Sequence, residues 1–182
     1  MSCEKTLVIL KPDALRKRVV GRIISRLEDA DLKIVAMRLV KRADEDLMSD
    51  HYQSTEKWLE GVGVKTIESY RKSGDDVIKG FGTDVPIEIG KIVKKRLIRY
   101  MTSGAIIPMV VEGNHVIRKV RQIAGYTIPA EASPGTIRGD FSSDSPDLAT
   151  RDDRSVENLI HASGNQEEAT YEIDLWFPEL NG

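Results

Sequence analysis

Among the residues able to do chemistry, His161 has the most suggestive surroundings. It follows the apolar pair Leu159–Ile160 and precedes Ala162, Ser163 and Gly164, small residues that leave room beside an imidazole. Asn165 and Glu168 form the pattern of a capped helix start just beyond it, and helix N-termini favour anions. The other two histidines say less. His51 lies in a polar helical stretch, and His115 stands near a helix start after Gly113. A lone histidine is more often structural or solvent-facing than catalytic. The second feature is Gly135-Thr136-Ile137-Arg138-Gly139-Asp140. Glycines on both sides of an arginine permit a close turn that aims the guanidinium, whose planar fork suits phosphate oxygens. A solvated turn is the plain alternative. Lys11-Pro12-Asp13 ends an apolar run, where a lysine can face a ligand, and Arg121 and Thr127 flank Gly125. Each of these alone is a weak signal.

Several other chemistries find no support. There is no GxxxxGK[ST], HExxH or GxSxG, and the glycines at 61, 63, 80 and 82 do not make a dinucleotide-binding pattern. The acidic stretch 144–153 lacks the spacing of a calcium loop and reads as a solvated charge run. The single cysteine, Cys3, excludes an internal disulfide and a cysteine zinc site. A net charge of −2 over 182 residues gives no basic surface for nucleic acid or membrane. Any anionic substrate must meet a local positive cluster. No apolar run is long enough to span a bilayer, and the first residues lack the pattern of a signal peptide, so a cytoplasmic location is expected.

The elements that must position these residues follow from periodicity. Thr6–Leu10 reads as a buried strand. Val20, Ile23, Ile24 and Leu27 make a helical stripe. Leu32–Val40 reads as a strand buried on both faces, and Asp44–Gln53 as a short helix. Trp58–Pro86, with five glycines and no clear period, reads as loops with at most one short helix. Pro86 can open a helix whose face is Ile89, Val93, Leu97 and Tyr100. Ala105–Val111 reads as a strand in which Pro108 implies an edge position or a bulge. Val116, Val120 and Ile123 mark a helix closed by Gly125. Ser142–Arg154 reads as a mobile surface excursion. A short apolar segment, Leu159–Ile160, precedes a last helix through Trp176. The order predicts a mostly antiparallel sheet with helices on one face, in split βαβ style.

Taken together, four blocks resemble the nucleoside diphosphate kinase family: Thr6-Leu-Val-Ile-Leu-Lys-Pro-Asp-Ala14, Tyr100-Met-Thr-Ser-Gly104, Pro134-Gly-Thr-Ile-Arg-Gly-Asp-Phe141, and Asn158-Leu-Ile-His-Ala-Ser163 followed by Glu172-Ile-Asp-Leu-Trp-Phe177. They occur in the family's order and cover about residues 4–56, 96–141 and 157–178. The resemblance implies an α+β, ferredoxin-like sandwich with a four-stranded sheet. It implies one domain over residues 1–182, with insertions near 57–95 and 142–155. It further implies ping-pong transfer of the γ-phosphoryl group from ATP or another nucleoside triphosphate to a nucleoside diphosphate, through a phosphohistidine. By motif position His161 matches the nucleophile, and Ser163 and Glu172 match its supports. Lys11, Tyr52, Arg121, Thr127, Arg138 and Asn158 match nucleotide and phosphate contacts. Mg²⁺ is implied as a cofactor held by the nucleotide's phosphates, without protein ligands, and a homo-oligomer is implied.

The sequence also departs from the family. Gly164 stands where an acid is usual, and Asn165 replaces a serine. The segment near 57–95, which in the family supplies an aromatic platform for the base, does not follow the pattern. Trp58 and Phe81 are the candidates there, with Trp58 favoured by its distance from Tyr52. The chain ends soon after Phe177, short of the family's longer C-terminal arm. Gly164 and the insertions are the features that favour a competing reading, a catalytically silent nucleotide-binding or regulatory module of the same fold.

Overall fold

The computed structural model describes residues 4–181, so Cys3 lies outside the described residues. In chain order the elements are β1 (Glu4–Leu10), α1 (Pro12–Arg16), α2 (Val20–Glu28), β2 (Lys33–Met37), α3 (Glu45–His51), α4 (Glu56–Ser73), α5 (Val77–Phe81), α6 (Pro86–Met101), β3 (Ile107–Gly113), α7 (Val116–Ala124), α8 (Ile137–Phe141), α9 (Pro146–Arg151), β4 (Ile160–Ala162) and α10 (Gln166–Trp176). They fall into two compact units. The first holds the chain up to Arg42, then Gly104–Ser143 and the chain from Asn158; the second holds Ala43–Ser103 and Asp144–Glu157.

The first unit is built on a four-stranded sheet in the order β2-β3-β1-β4, with every pairing antiparallel. β1 is central, and Thr6–Leu10 are fully buried there, as an unbroken apolar run demands. Val8 and Leu10 face a core shared with Ile23 and Leu27 of α2, Met109 and Val111 of β3, and Val116 and Val120 of α7. Residues alternate across a strand, so Leu7 and Ile9 turn to the opposite face. There α10 packs on β1, and helices therefore flank both faces rather than one. β2 is an edge strand rather than one buried on both sides. Its residues are half-buried or exposed, and Met37 and the following Leu39 are 52% and 60% exposed. Pro108 sits in the interior strand β3, opposite Ile9, away from the sheet edge. It lies just beyond the last β2–β3 pair, Met37 with Met109, where its missing N–H interrupts no regular ladder, while its carbonyl accepts the Arg38 N–H at 3.2 Å. The bulge falls instead in β2, between Ile34 and Ala36.

The second unit corrects the expectation of loops. Residues 56–101 are mostly helix, and α4 alone runs 18 residues. Its glycines serve helix packing and helix ends. A Cβ at Gly63 would come 1.8 Å from the Pro86 carbonyl oxygen, and one at Gly90 would come 2.0 Å from that of Leu59. Bare backbone at both positions lets α4 and α6 cross at close range. Gly74 and Gly82 adopt the left-handed conformation that stops α4 and α5. Lys94 of α6 donates to the Ser49 carbonyl at 2.9 Å and to the Ser54 hydroxyl, tying α6 to the end of α3. The acidic segment expected to be a mobile excursion contains α9 and is pinned by ion pairs. Arg154 donates to both oxygens of Asp144, at 2.6 and 2.9 Å, and the Glu157 N–H adds a third bond to that buried carboxylate. Asp153 takes Arg96 at 2.8 Å. No described helix is long and apolar enough to cross a membrane.

Candidate active site

The site grows from β4, a three-residue strand at the sheet edge. Pairing of His161 with Ile9 of β1 puts the imidazole on the face that α10 covers. Its Nε2 lies 2.9 Å from both carboxylate oxygens of Glu172, which is 5% exposed on α10. Ser163, two residues along and so on the same face, donates its hydroxyl to Glu172 Oε2 at 2.6 Å and accepts the Leu7 N–H at 3.2 Å. A carboxylate with two partners has a fixed plane, and the imidazole edge is fixed with it.

The helix that carries Glu172 is capped in the way the sequence suggests. Asn165 accepts the Glu168 N–H at 2.9 Å. Glu168 reaches back to the Gly164 N–H at 2.8 Å and to the Asn165 side chain at 3.1 Å. The two departures from the family pattern thus belong to a closed capping arrangement.

A second cluster lies at the other end of the short strand. Lys11, at the end of β1, is 5% exposed and donates to the Asn158 side-chain oxygen at 2.8 Å. The Asn158 amide in turn donates to the Thr127 carbonyl at 3.0 Å. Arg138 projects from α8, a single turn capped by Thr136. Its guanidinium donates to the carbonyls of Asn158, Gly125 and Ile160 at 3.1, 2.8 and 2.7 Å. Those bonds grip the chain on either side of Leu159, just before His161. Burial, reinforced by the Arg138 charge and opposed by Asp13, lowers the Lys11 ammonium to a pKa of about 7.

One participant was not singled out in the sequence. Asp13 is fully buried on α1, and its Oδ2 accepts the Leu159 N–H at 3.0 Å. The available signal was an acid two residues after a lysine at a strand end. Glu168 is similarly legible only as half of a capping box.

The remaining predicted residues are Arg121, Thr127, Tyr52 and the two platform candidates. Arg121 is exposed on α7 and lines an open hollow of about 640 Å³ with Arg118, Gln122, Gly164 and Asn165. Thr127 offers its carbonyl to Asn158 and is itself exposed. Tyr52 and Trp58 belong to the second unit, where their ring centres lie 6.3 Å apart. Phe81, the other platform candidate, packs against Tyr70 with tilted rings 5.2 Å apart and lies under the Arg96 guanidinium at 4.8 Å.

An imidazole oriented by a carboxylate, with a lysine and an arginine on the adjoining backbone, is an arrangement suited to phosphoryl transfer. Both carboxylates here are committed, Glu172 to His161 and Ser163, and Asp13 to a peptide N–H. This donor set fits a divalent cation that takes its oxygens from phosphates rather than from the chain.

Comparison with known proteins agrees. The family model described as nucleoside diphosphate kinase matches residues 4–59 and 88–181. A nucleoside diphosphate kinase of Pyrobaculum aerophilum is 50% identical over 179 residues, 98% of this chain and 97% of that protein. The crystal structure of an NDP kinase from that organism superposes with a TM-score of 0.91 at 48% identity, covering 97% of this chain and 96% of that one. A Borrelia burgdorferi nucleoside-diphosphate kinase, solved as a transition-state mimic with vanadate and ADP, gives a TM-score of 0.74 at 32% identity, covering 96% and 87%. With the sheet, the histidine and the full-length likeness in agreement, this chain belongs to the nucleoside diphosphate kinase family, and its activity is that of a phosphotransferase between nucleotides.

Proposed function

We propose that the chain transfers phosphoryl groups by a ping-pong route through His161. The observation that carries this reading is the bond from His161 Nε2 to Glu172, itself held by Ser163. A carboxylate accepts, so this contact favours the tautomer with the proton on Nε2 and a lone pair on Nδ1. Nδ1 attacks the γ-phosphorus of a nucleoside triphosphate, a P–N bond forms, and the bond to the β,γ-bridging oxygen breaks. The diphosphate leaves with that electron pair. A β-phosphate oxygen of a second nucleoside diphosphate then attacks the phosphorus, and the P–N pair returns to the imidazole. Glu172 holds the ring throughout and balances charge on it.

Lys11 and Arg138 meet phosphate oxygens, with Arg121 a further cation from α7 and the Thr127 hydroxyl a further donor. Asn158 binds the ribose. Tyr52 is a further nucleotide contact, and Trp58 serves the base, preferred to Phe81 because the Phe81 ring already carries Tyr70 and Arg96. Bound Mg²⁺ supplies charge neutralisation at the phosphates. The Borrelia complex with ADP and vanadate supports nucleotides as the substrates. We read residues 1–182 as one catalytic domain of this family, located in the cytoplasm and acting as a homo-oligomer.

The test is labelling by γ-labelled ATP with Mg²⁺, nucleotide removal, and a chase with GDP. Acid-labile, alkali-stable label that requires His161 and passes to GDP is the expected result. A folded protein that takes no more label than His161→Ala would refute the mechanism and favour a silent nucleotide-binding module.

A further inference from the structure

Asp13 is a fully buried acid to which the transfer steps assign no task. A buried carboxylate is costly unless it is bonded and paired, so its surroundings should say what it is for. Its Oδ2 accepts the Leu159 N–H at 3.0 Å. The carbonyl of the same leucine accepts the Lys11 N–H at 2.9 Å. Both polar groups of Leu159 are therefore held by the turn Lys11–Asp13.

Leu159 needs holding. It has φ +68°, a left-handed conformation unfavourable for a side chain of its size, and it is fully buried. The kink separates two functional directions. Asn158, before it, faces Lys11, while His161, after it, faces Glu172. If Leu159 relaxed to an extended conformation, Asn158 and His161 would lose their relative placement.

The second contact is electrostatic. The charged and polar groups facing Lys11 include Arg138 from α8, Asp13 from α1 and the Asn158 amide. Burial first, and then the Arg138 charge, disfavours the ammonium, and Asp13 favours it. Resting on the phosphohistidine reading, we propose that Asp13 is a positioning residue of the transfer reaction, holding the Leu159 peptide that spaces Asn158 from His161 and keeping Lys11 cationic for phosphate.

Two variants separate the tasks. Asp13→Asn keeps an acceptor for the Leu159 N–H and removes the charge, whereas Asp13→Ala removes both. The Lys11 titration is followed by NMR of carbon-13 lysine-labelled protein, assigned with Lys11→Met, and folding is checked by circular dichroism. The Asp13→Asn midpoint should fall by roughly half a unit or more. The alkaline limb of kcat/KM should move the same way, with little change in KM on the acid side. At about pH 6, where Lys11 is largely protonated, Asp13→Ala should lose roughly tenfold in kcat relative to Asp13→Asn. An unmoved Lys11 midpoint in folded Asp13→Asn overturns the proposal, as does an equal acid-side kcat for the two folded variants. If the alanine variant does not fold, the asparagine titration decides. That titration needs no turnover, so a failure of the phosphohistidine reading, seen as unlabelled wild type, is distinguishable from a failure here.

Discussion

Lys11 is the residue whose protonation should be visible in the kinetics. Burial and the neighbouring Arg138 bring it to a pKa of about 7, so the free enzyme loses the ammonium as pH rises past neutrality. The kcat/KM for ATP should fall on that alkaline side, and the fall should be absent in Lys11→Met, whose rate is low throughout. The sign for stability is opposite. Folded Lys11 titrates below its unfolded value, so above about 7 the unfolded chain binds a proton that the folded chain does not. Wild type should therefore gain Tm relative to Lys11→Met between about pH 7 and pH 10. A Tm difference that is flat over this range would contradict the burial argument. Lys11, Arg138 and His161 were legible in the sequence because glycines and strand ends bracket them. Asp13 was not, since a buried acid after a proline has the sequence signature of an ordinary helix first turn.

The elements divide by how local their signals are. β1, α2, α7 and α10 were readable because a buried run, a helical stripe or a capping box is written within a few residues. α4 was hidden by its glycines. Gly63 suits a crossing with α6, some twenty residues further on, and no local rule distinguishes that from a loop. Gly63→Ala makes the point testable. A methyl group placed 1.8 Å from the Pro86 carbonyl oxygen must push α4 away from α6. The cost should be about 1–3 kcal/mol, read as a Tm lowered by roughly 3–10 °C. An unchanged Tm would mean that the two helices do not pack in this way. Pro108 was misread for a related reason: the sequence shows the missing N–H, but only the neighbouring strand's length reveals that no regular ladder bond is lost there.

At the scale of the whole molecule, the sheet ends on one side in β2, where Met37 and, two residues on, Leu39 present apolar surface at an edge. Edges of that kind are covered or blunted in stable proteins. This supports the expectation of an assembly of identical chains. Light scattering should return a multiple of 20.3 kDa, and the mass of one chain alone would refute it. Leu39→Lys should shift the mass distribution toward smaller species if this edge is the contact. The two units are also interlaced along the chain. The second unit takes Ala43–Ser103 and then Asp144–Glu157, and the first waits for Asn158 onward to receive β4 and α10. During synthesis from the N-terminus, the second unit cannot close before Asp144–Glu157 is made, nor the first before β4 and α10 follow. His161 and Glu172, the pair proposed to react, both belong to the segment that follows Asp144–Glu157, so a chain truncated before Asn158 would keep Lys11 and Arg138 and lack both of them.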